Sequence, residues 1–291
     1  MGSNKMKKYV PYFLIAPAFL VLLLLMVYPI IWNIYLSFHD VTLIKLNRAW
    51  EPVALRNYFN VITDMYFWES MWVTGKFVVG SVVGQLVFGL ILALLLHKKV
   101  KGSGMFRVIY IIPWLLSDVI VGFTWQWSYH EKFGMINTLL GKLGIPAIDW
   151  LGNPDIAIWA IVITNIWFGT PFTMLFLGSA LNTISRELYE AARVDGATRW
   201  QQFWYVTIPA LKPFIATNLI LLTMWTVNLF GLQYVMTGGG PLFSTTTLSL
   251  FMYNNAFEYG KLSIGSSIGF ILLIINAIAA YFYVKLVQRE G

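Results

Sequence analysis

Asn165, Phe168, Gly169 and Phe172 are spaced i, i+3, i+4 and i+7, so they share one face of any helix that carries them. Leu222, Trp225, Thr226 and Leu229 repeat that spacing further along the chain, with Asn228 beside them. Aromatic rings stack on the C–H side of a sugar ring, and amides or hydroxyls pair with its hydroxyl groups. The two faces together offer both kinds of contact. Small residues and single amides at such positions also serve as close helix contacts inside membranes, so the spacing admits packing as well as binding.

Other chemistry is scarce. The chain has no cysteine, which removes disulfides, thiolate nucleophiles and sulfur metal sites. Its three histidines, His39, His97 and His130, have no metal-like spacing, so neither a metal ligand nor a catalytic residue is expected and an intramembrane enzyme is disfavoured. A phosphate-binding loop needs G-x-x-x-x-G-K-[ST]. Gly75-Lys76, Gly141-Lys142 and Gly260-Lys261 are followed by Phe77, Leu143 and Leu262, none of which offers a hydroxyl to magnesium. No cofactor is expected on this chain, and an ATP-hydrolysing centre would have to lie on another. A secondary transporter driven by an ion gradient, the alternative reading, predicts ionisable residues along several spans and internal repeats. Only Asp118 falls inside a span and no repeat is visible. Asp118 is expected either to face a cavity or partner, or to order Ser117 or a backbone group nearby.

The elements that must carry these residues follow from composition. Hydrophobic residues make up 58% of the 291 and charged residues 11%, against about a quarter charged in soluble domains. An all-α polytopic membrane protein is expected, forming a single transmembrane domain over residues 1–291. Apolar runs of about 20 residues cross a bilayer, and six are found, at about 9–38, 77–96, 108–129, 156–185, 214–236 and 262–284. Lys5, Lys7 and Lys8 precede the first run as in a signal peptide, but the run is too long and lacks a small-residue cleavage site, so a retained span is expected. With both termini inside, thirteen of the 20 basic residues, Lys98, Lys99, Lys101, Arg186 and Arg193 among them, fall on the inner side. That excess of positive charge selects the N-in, C-in orientation and accounts for the pI near 9.4 without nucleic acid.

On this topology the stretch EAARVDGATRWQQFWYVTIPALKP belongs to the long cytoplasmic connection 186–213. Ser185 is a suitable N-cap, Glu187 and Glu190 suit the start of a helix, and Arg193 can pair with Glu190. Gly196 is expected to stop that helix, and a second one to run over 197–205 before Pro209. Trp200, Phe203 and Trp204 suit a membrane surface. Ala191 and Ala192 would let another protein approach the backbone closely.

Glu190, Ala191, Ala192, Gly196 and Pro209, with Val206 and Ile208 at two aliphatic positions, resemble without a gap the EAA loop of binding-protein-dependent ABC importer permeases. TGGGP at 237–241, the stretches STTTLSLFMYNNAF and FGMINTLLGKLG, and the early APAFLVLLLLMVYPIIWNIYLSF resemble the carbohydrate permeases related to the maltose transporter, of the first of their two paired subunit types. The resemblance implies a type I ABC importer permease fold in a bacterial or archaeal cytoplasmic membrane. It implies as partners a second homologous permease, two ATP-binding subunits that hold the ATP and Mg, an extracytoplasmic solute-binding protein, membrane lipid, and a sugar, expected to be an oligosaccharide. It implies that Glu190, Ala191, Ala192, Gly196 and Pro209 couple to the ATPase. It further implies that Asn165, Phe168, Gly169, Phe172, Trp225, Thr226, Asn228 and Leu229 line the sugar path. Asn165 and Gly169 match most clearly, while Thr226 and Leu229 stand where the maltose permease carries polar amides.

Overall fold

The computed structural model describes residues 3–97 and 103–289, so Lys98, Lys99 and Lys101 lie outside the described residues. The elements in chain order are α1 (Ser3–Leu22), α2 (Tyr28–Ser37), β1 (His39–Asp40), β2 (Glu51–Pro52), α3 (Arg56–Thr63), α4 (Met65–His97), α5 (Ser103–Leu115) and α6 (Asp118–Ser128). They continue with α7 (Met135–Lys142), α8 (Ala157–Leu181), α9 (Arg186–Val194), α10 (Arg199–Gln202), α11 (Ile208–Asn228), α12 (Gly231–Thr237), α13 (Leu248–Tyr253) and α14 (Leu262–Arg289). Among the described residues five helices are long and apolar enough to cross a membrane, and the pair α5 and α6 makes a sixth if it is counted as one span.

Three of the expected spans differ in detail. The run 108–129 is not one helix: α5 and α6 meet at a bend of 99°. Pro113 lies in the last turn of α5, and Ser117 caps α6 by accepting from Ile120 N. The run 214–236 also breaks, because α11 ends at Asn228 and α12 starts afresh at Gly231. The helix beginning at Arg199 does not stop before Pro209 either. It continues through a π turn, Phe203–Thr207, into α11 as one 30-residue helix. Proline lacks an N–H and its ring crowds the carbonyl four residues back. The wider turn relieves that crowding, and the same device, Leu23–Val27, stands ahead of Pro29 between α1 and α2. Finally, α4 starts at Met65, well before the apolar run, since Glu69 and Lys76 bound the apolar run without ending the helix.

The chain forms two compact units, Met1–Asp64 with Met252–Leu273, and Met65–Phe251 with Ile274–Gly291. In the first, β1 and β2 pair antiparallel with His39 opposite Pro52. Asn57 donates to the carbonyls of Ser37 and His39 at 2.8 and 3.0 Å, fixing the exit of α2, and Ser263 at the start of α14 closes on Val41. The helix over Leu14–Ser37 buries none of its most apolar stretch within the chain, so its side chains are left for lipid or another membrane chain.

The second unit is built on α4 and α8. A Cβ added at Gly84 or Gly89 would collide with Ile166 or Thr173, so the two helices approach at glycine distance. Close backbone contact supplies the dispersion attraction that holds helices together where lipid removes the hydrophobic incentive. Phe77, Val121, Ile158, Ile161, Leu232 and Met236 fill one core, and Ala93, Leu177, Leu181 and Leu211 a second.

Candidate functional site

Where α8 passes α11, a cavity of about 70 Å³ opens between Asn165, Phe168, Gly169 and Phe172 on one side and Leu222, Trp225, Thr226 and Leu229 on the other. The two faces expected from spacing therefore meet. Asn228 does not join them: its Nδ2 donates to Met224 O at 2.6 Å and it faces Asn276 of α14. Two residues not anticipated complete the lining, Gln85 from α4 and Trp114 from α5. Phe172 packs edge-on against Trp225 with ring centroids 4.7 Å apart and lies 5.7 Å from Trp114. Asn165 is 3% exposed and its Nδ2 is buried without a hydrogen-bond partner. A desolvated, unpaired amide donor costs on the order of 1–3 kcal/mol, and its presence beside a void is a reason to expect a polar occupant. The site thus combines aromatic walls with a buried, unspent amide donor.

The connection between α8 and α11 has the helix, turn, helix form expected of it. Ser185 accepts from Glu187 N at 3.2 Å to cap α9. Gly196 has φ +79°, a left-handed conformation that suits glycine, and Ala197 N reaches back to Ala192 O at 2.8 Å. Thr198 and Gln201 then form a capping box at the start of α10. Glu190 and Ala191 are exposed on α9, Ala192 is half-buried, and Pro209 lies inside the continuous helix that follows. The expected Glu190–Arg193 pair does not form. Arg193 Nε instead donates to Tyr189 O at 3.3 Å. Tyr189 OH bonds Thr207 Oγ1 at 2.9 Å, fastening α9 to the π turn ahead of α11.

TGGGP forms a sharp exit from α12: Gly238 and Gly239 have φ +60° and +93°, and the Gly240–Pro241 bond is cis. Thr245 and Thr246 hold the loop by donating to the carbonyls of Gly240 and Gly239. Asp118 orders local backbone, the second of the two roles expected for it. Its Oδ1 accepts from Val119 N at 3.0 Å, and its carboxylate covers Gly231, the first residue of α12, where a Cβ would collide with it. A carboxylate there is favoured by the positive ends of α6 and α12, which accounts for the charge between these helices.

Residues 85–290 match the family described as binding-protein-dependent transport system inner membrane component. The chain is a member of that family. It is 38% identical over 275 residues to the trehalose/maltose transport system permease protein MalF of Thermococcus litoralis, covering 94% of this chain and 92% of that one. It is 35% identical over 277 residues to the sulfoquinovosyl glycerol transport system permease protein SmoG of Agrobacterium fabrum, covering 95% and 90%. Among solved structures, a chain of a bacterial alginate ABC transporter in complex with an alginate pentasaccharide-bound periplasmic protein superposes with a TM-score of 0.84 at 20% identity, covering 99% of this chain and 96% of that one. The fold is that of an ABC importer permease. In this family member the matched region begins at Gln85 and takes in the cavity, the α9 hairpin and the TGGGP loop.

Proposed function

We propose that this chain is one permease half of an ATP-driven, binding-protein-dependent importer of sugars, oligosaccharides among them, with α8 and α11 forming its half of the translocation path. The cavity carries this reading: in a family that moves solutes through membranes, the two helices flanking the α9 hairpin meet around aromatic rings and an unpaired amide. Relatives named for trehalose, maltose and sulfoquinovosyl glycerol support a sugar as cargo. Asn165, Phe168, Gly169, Phe172, Trp225, Thr226 and Leu229 are the path residues, and Asn228 acts from behind by fixing the end of α11. At about 70 Å³ the void falls well short of the roughly 300 Å³ at which ligand pockets begin, so α8 and α11 must part for a sugar to pass. Alternating access supplies that motion.

Glu190, Ala191, Ala192 and Gly196 form the surface on which an ATPase subunit docks, and Pro209 lies in the helix that carries the movement inward. The reading includes a second homologous permease, two ATP-binding subunits holding ATP and Mg, and an extracytoplasmic solute-binding protein, in a bacterial or archaeal cytoplasmic membrane with both termini inside. Purifying the tagged chain with its copurifying partners and measuring ATPase activity against a panel of sugars and amino acids tests it. Stimulation by a sugar with its binding protein is expected; a complex that responds only to amino acids sinks the proposal.

A further inference from the structure

Gly84 and Gly89 bring α4 close to α8, and Gln85 stands at that close approach. Gln85 is 2% exposed, and its amide lies over Gly169, where even a methyl group would collide with it. Its Nε2 donates to the main-chain oxygen of Asn165 at 2.9 Å. A carbonyl oxygen can only accept, so the nitrogen end of the amide must face it and the oxygen end is fixed by exclusion. Among the described residues Oε1 has no hydrogen-bond partner, and Gln85 lines the cavity. The Nδ2 of Asn165, which lines the same wall, is a buried donor with no partner. Two residues of one wall therefore carry unspent groups, an acceptor on Gln85 and a buried donor on Asn165, and Trp114, Phe172 and Trp225 line the same cavity.

We infer that Gln85 is a specificity-determining residue, which with Asn165 selects sugars carrying two adjacent free hydroxyls on the ring that passes this point. This rests on the sugar-path reading above. One hydroxyl donates to Gln85 Oε1 and its neighbour accepts from Asn165 Nδ2, while the C–H face of the ring lies on the aromatic wall. A deoxy or O-methyl sugar leaves one of these groups desolvated and unpaired, and a site built to hydrogen-bond a hydroxyl rejects the analogue that lacks it. Gly169 serves the same end by leaving room for the amide.

The test uses the whole transporter in proteoliposomes with its binding protein. Uptake of radiolabelled maltose and trehalose is compared with uptake of their mono-deoxy and mono-O-methyl analogues, each at concentrations that saturate the binding protein. If the wild type carries neither these nor any sugar that stimulates its ATPase activity, the sugar-path reading itself fails before Gln85 is altered. If it does carry one, Gln85→Met, which keeps length and bulk over Gly169 but offers no acceptor, is expected to slow the parent sugar about tenfold. At least one analogue should be left near its wild-type rate, so that the preference collapses. A purely packing role would slow parent and analogue alike, and an unchanged ratio overturns the assignment. Should Gln85→Met not assemble, Gly169→Ala, which displaces the same amide with Gln85 still present, carries the same readout. Failure of both variants to assemble also overturns the inference and assigns Gln85 to packing.

Discussion

A side chain larger than a methyl at position 169 would enter both the Gln85 contact and the cavity, so Gly169→Leu should stop uptake even where the complex forms and hydrolyses ATP. Asn165→Leu should act differently. It removes a buried, unpaired amide donor from the path, and uptake should fall about tenfold with affinity for the binding protein unchanged. Because that donor is buried without a partner in the described arrangement, the same substitution should leave thermal stability of the purified complex unchanged or raised. A loss of stability alongside transport would mean that Asn165 is a packing residue. The faces on α8 and α11 were legible because helical spacing alone brings four residues into line. Gln85 and Trp114 were not, since each reaches the site from a separate helix. Only the oddity of a glutamine inside an apolar run marked Gln85.

The α9 hairpin turns on one backbone angle. A Cβ at Gly196 would meet no atom within 4 Å, so crowding is not what restricts this position. The left-handed φ of +79° costs an ordinary L-residue roughly 1–2 kcal/mol. Gly196→Asn should therefore retain coupling, whereas Gly196→Val should lower the ratio of uptake to ATP hydrolysis at normal abundance; equal ratios in the two variants would sink the coupling role. Both helices of this hairpin could be read from the sequence, since Ser185 and Gly196 are strong start and stop signals. The breaks near 116 and 229 could not. Leu115, Leu116, Leu229 and Phe230 are as apolar as the helices they interrupt, so the apolar runs continue up to both breaks, and only Pro113 with the capping pair Ser117 and Asp118 hints at the first. Pro209 misled in the other direction, because a π turn absorbs it without ending the helix.

Orientation across the bilayer is a property of the whole molecule, and two well-exposed positions test it. Val194 on α9 is 88% exposed and Leu242 after the TGGGP turn is 87% exposed. With no native cysteine to interfere, Val194→Cys should be labelled by impermeant reagents only from the cytoplasmic side and Leu242→Cys only from the outside. Labelling of both from one face would overturn the assigned topology. The number of apolar segments and their charge bias were readable at this scale because lipid imposes them directly, whereas the division into two compact units depends on packing that no linear pattern encodes. The 30-residue helix from Arg199 to Asn228 also makes a prediction about how the gene can change. A π turn is an α-helix with one residue too many. Deleting one codon within Phe203–Thr207 should let that turn close to ordinary pitch and leave Trp225 and Thr226 in phase with the cavity. The same deletion at Leu221 would turn everything beyond it by about 100° and carry Trp225 off the path. A deletion scan scored by uptake should therefore show one tolerant window in this helix, at the turn that reconciles Pro209 with a continuous rod.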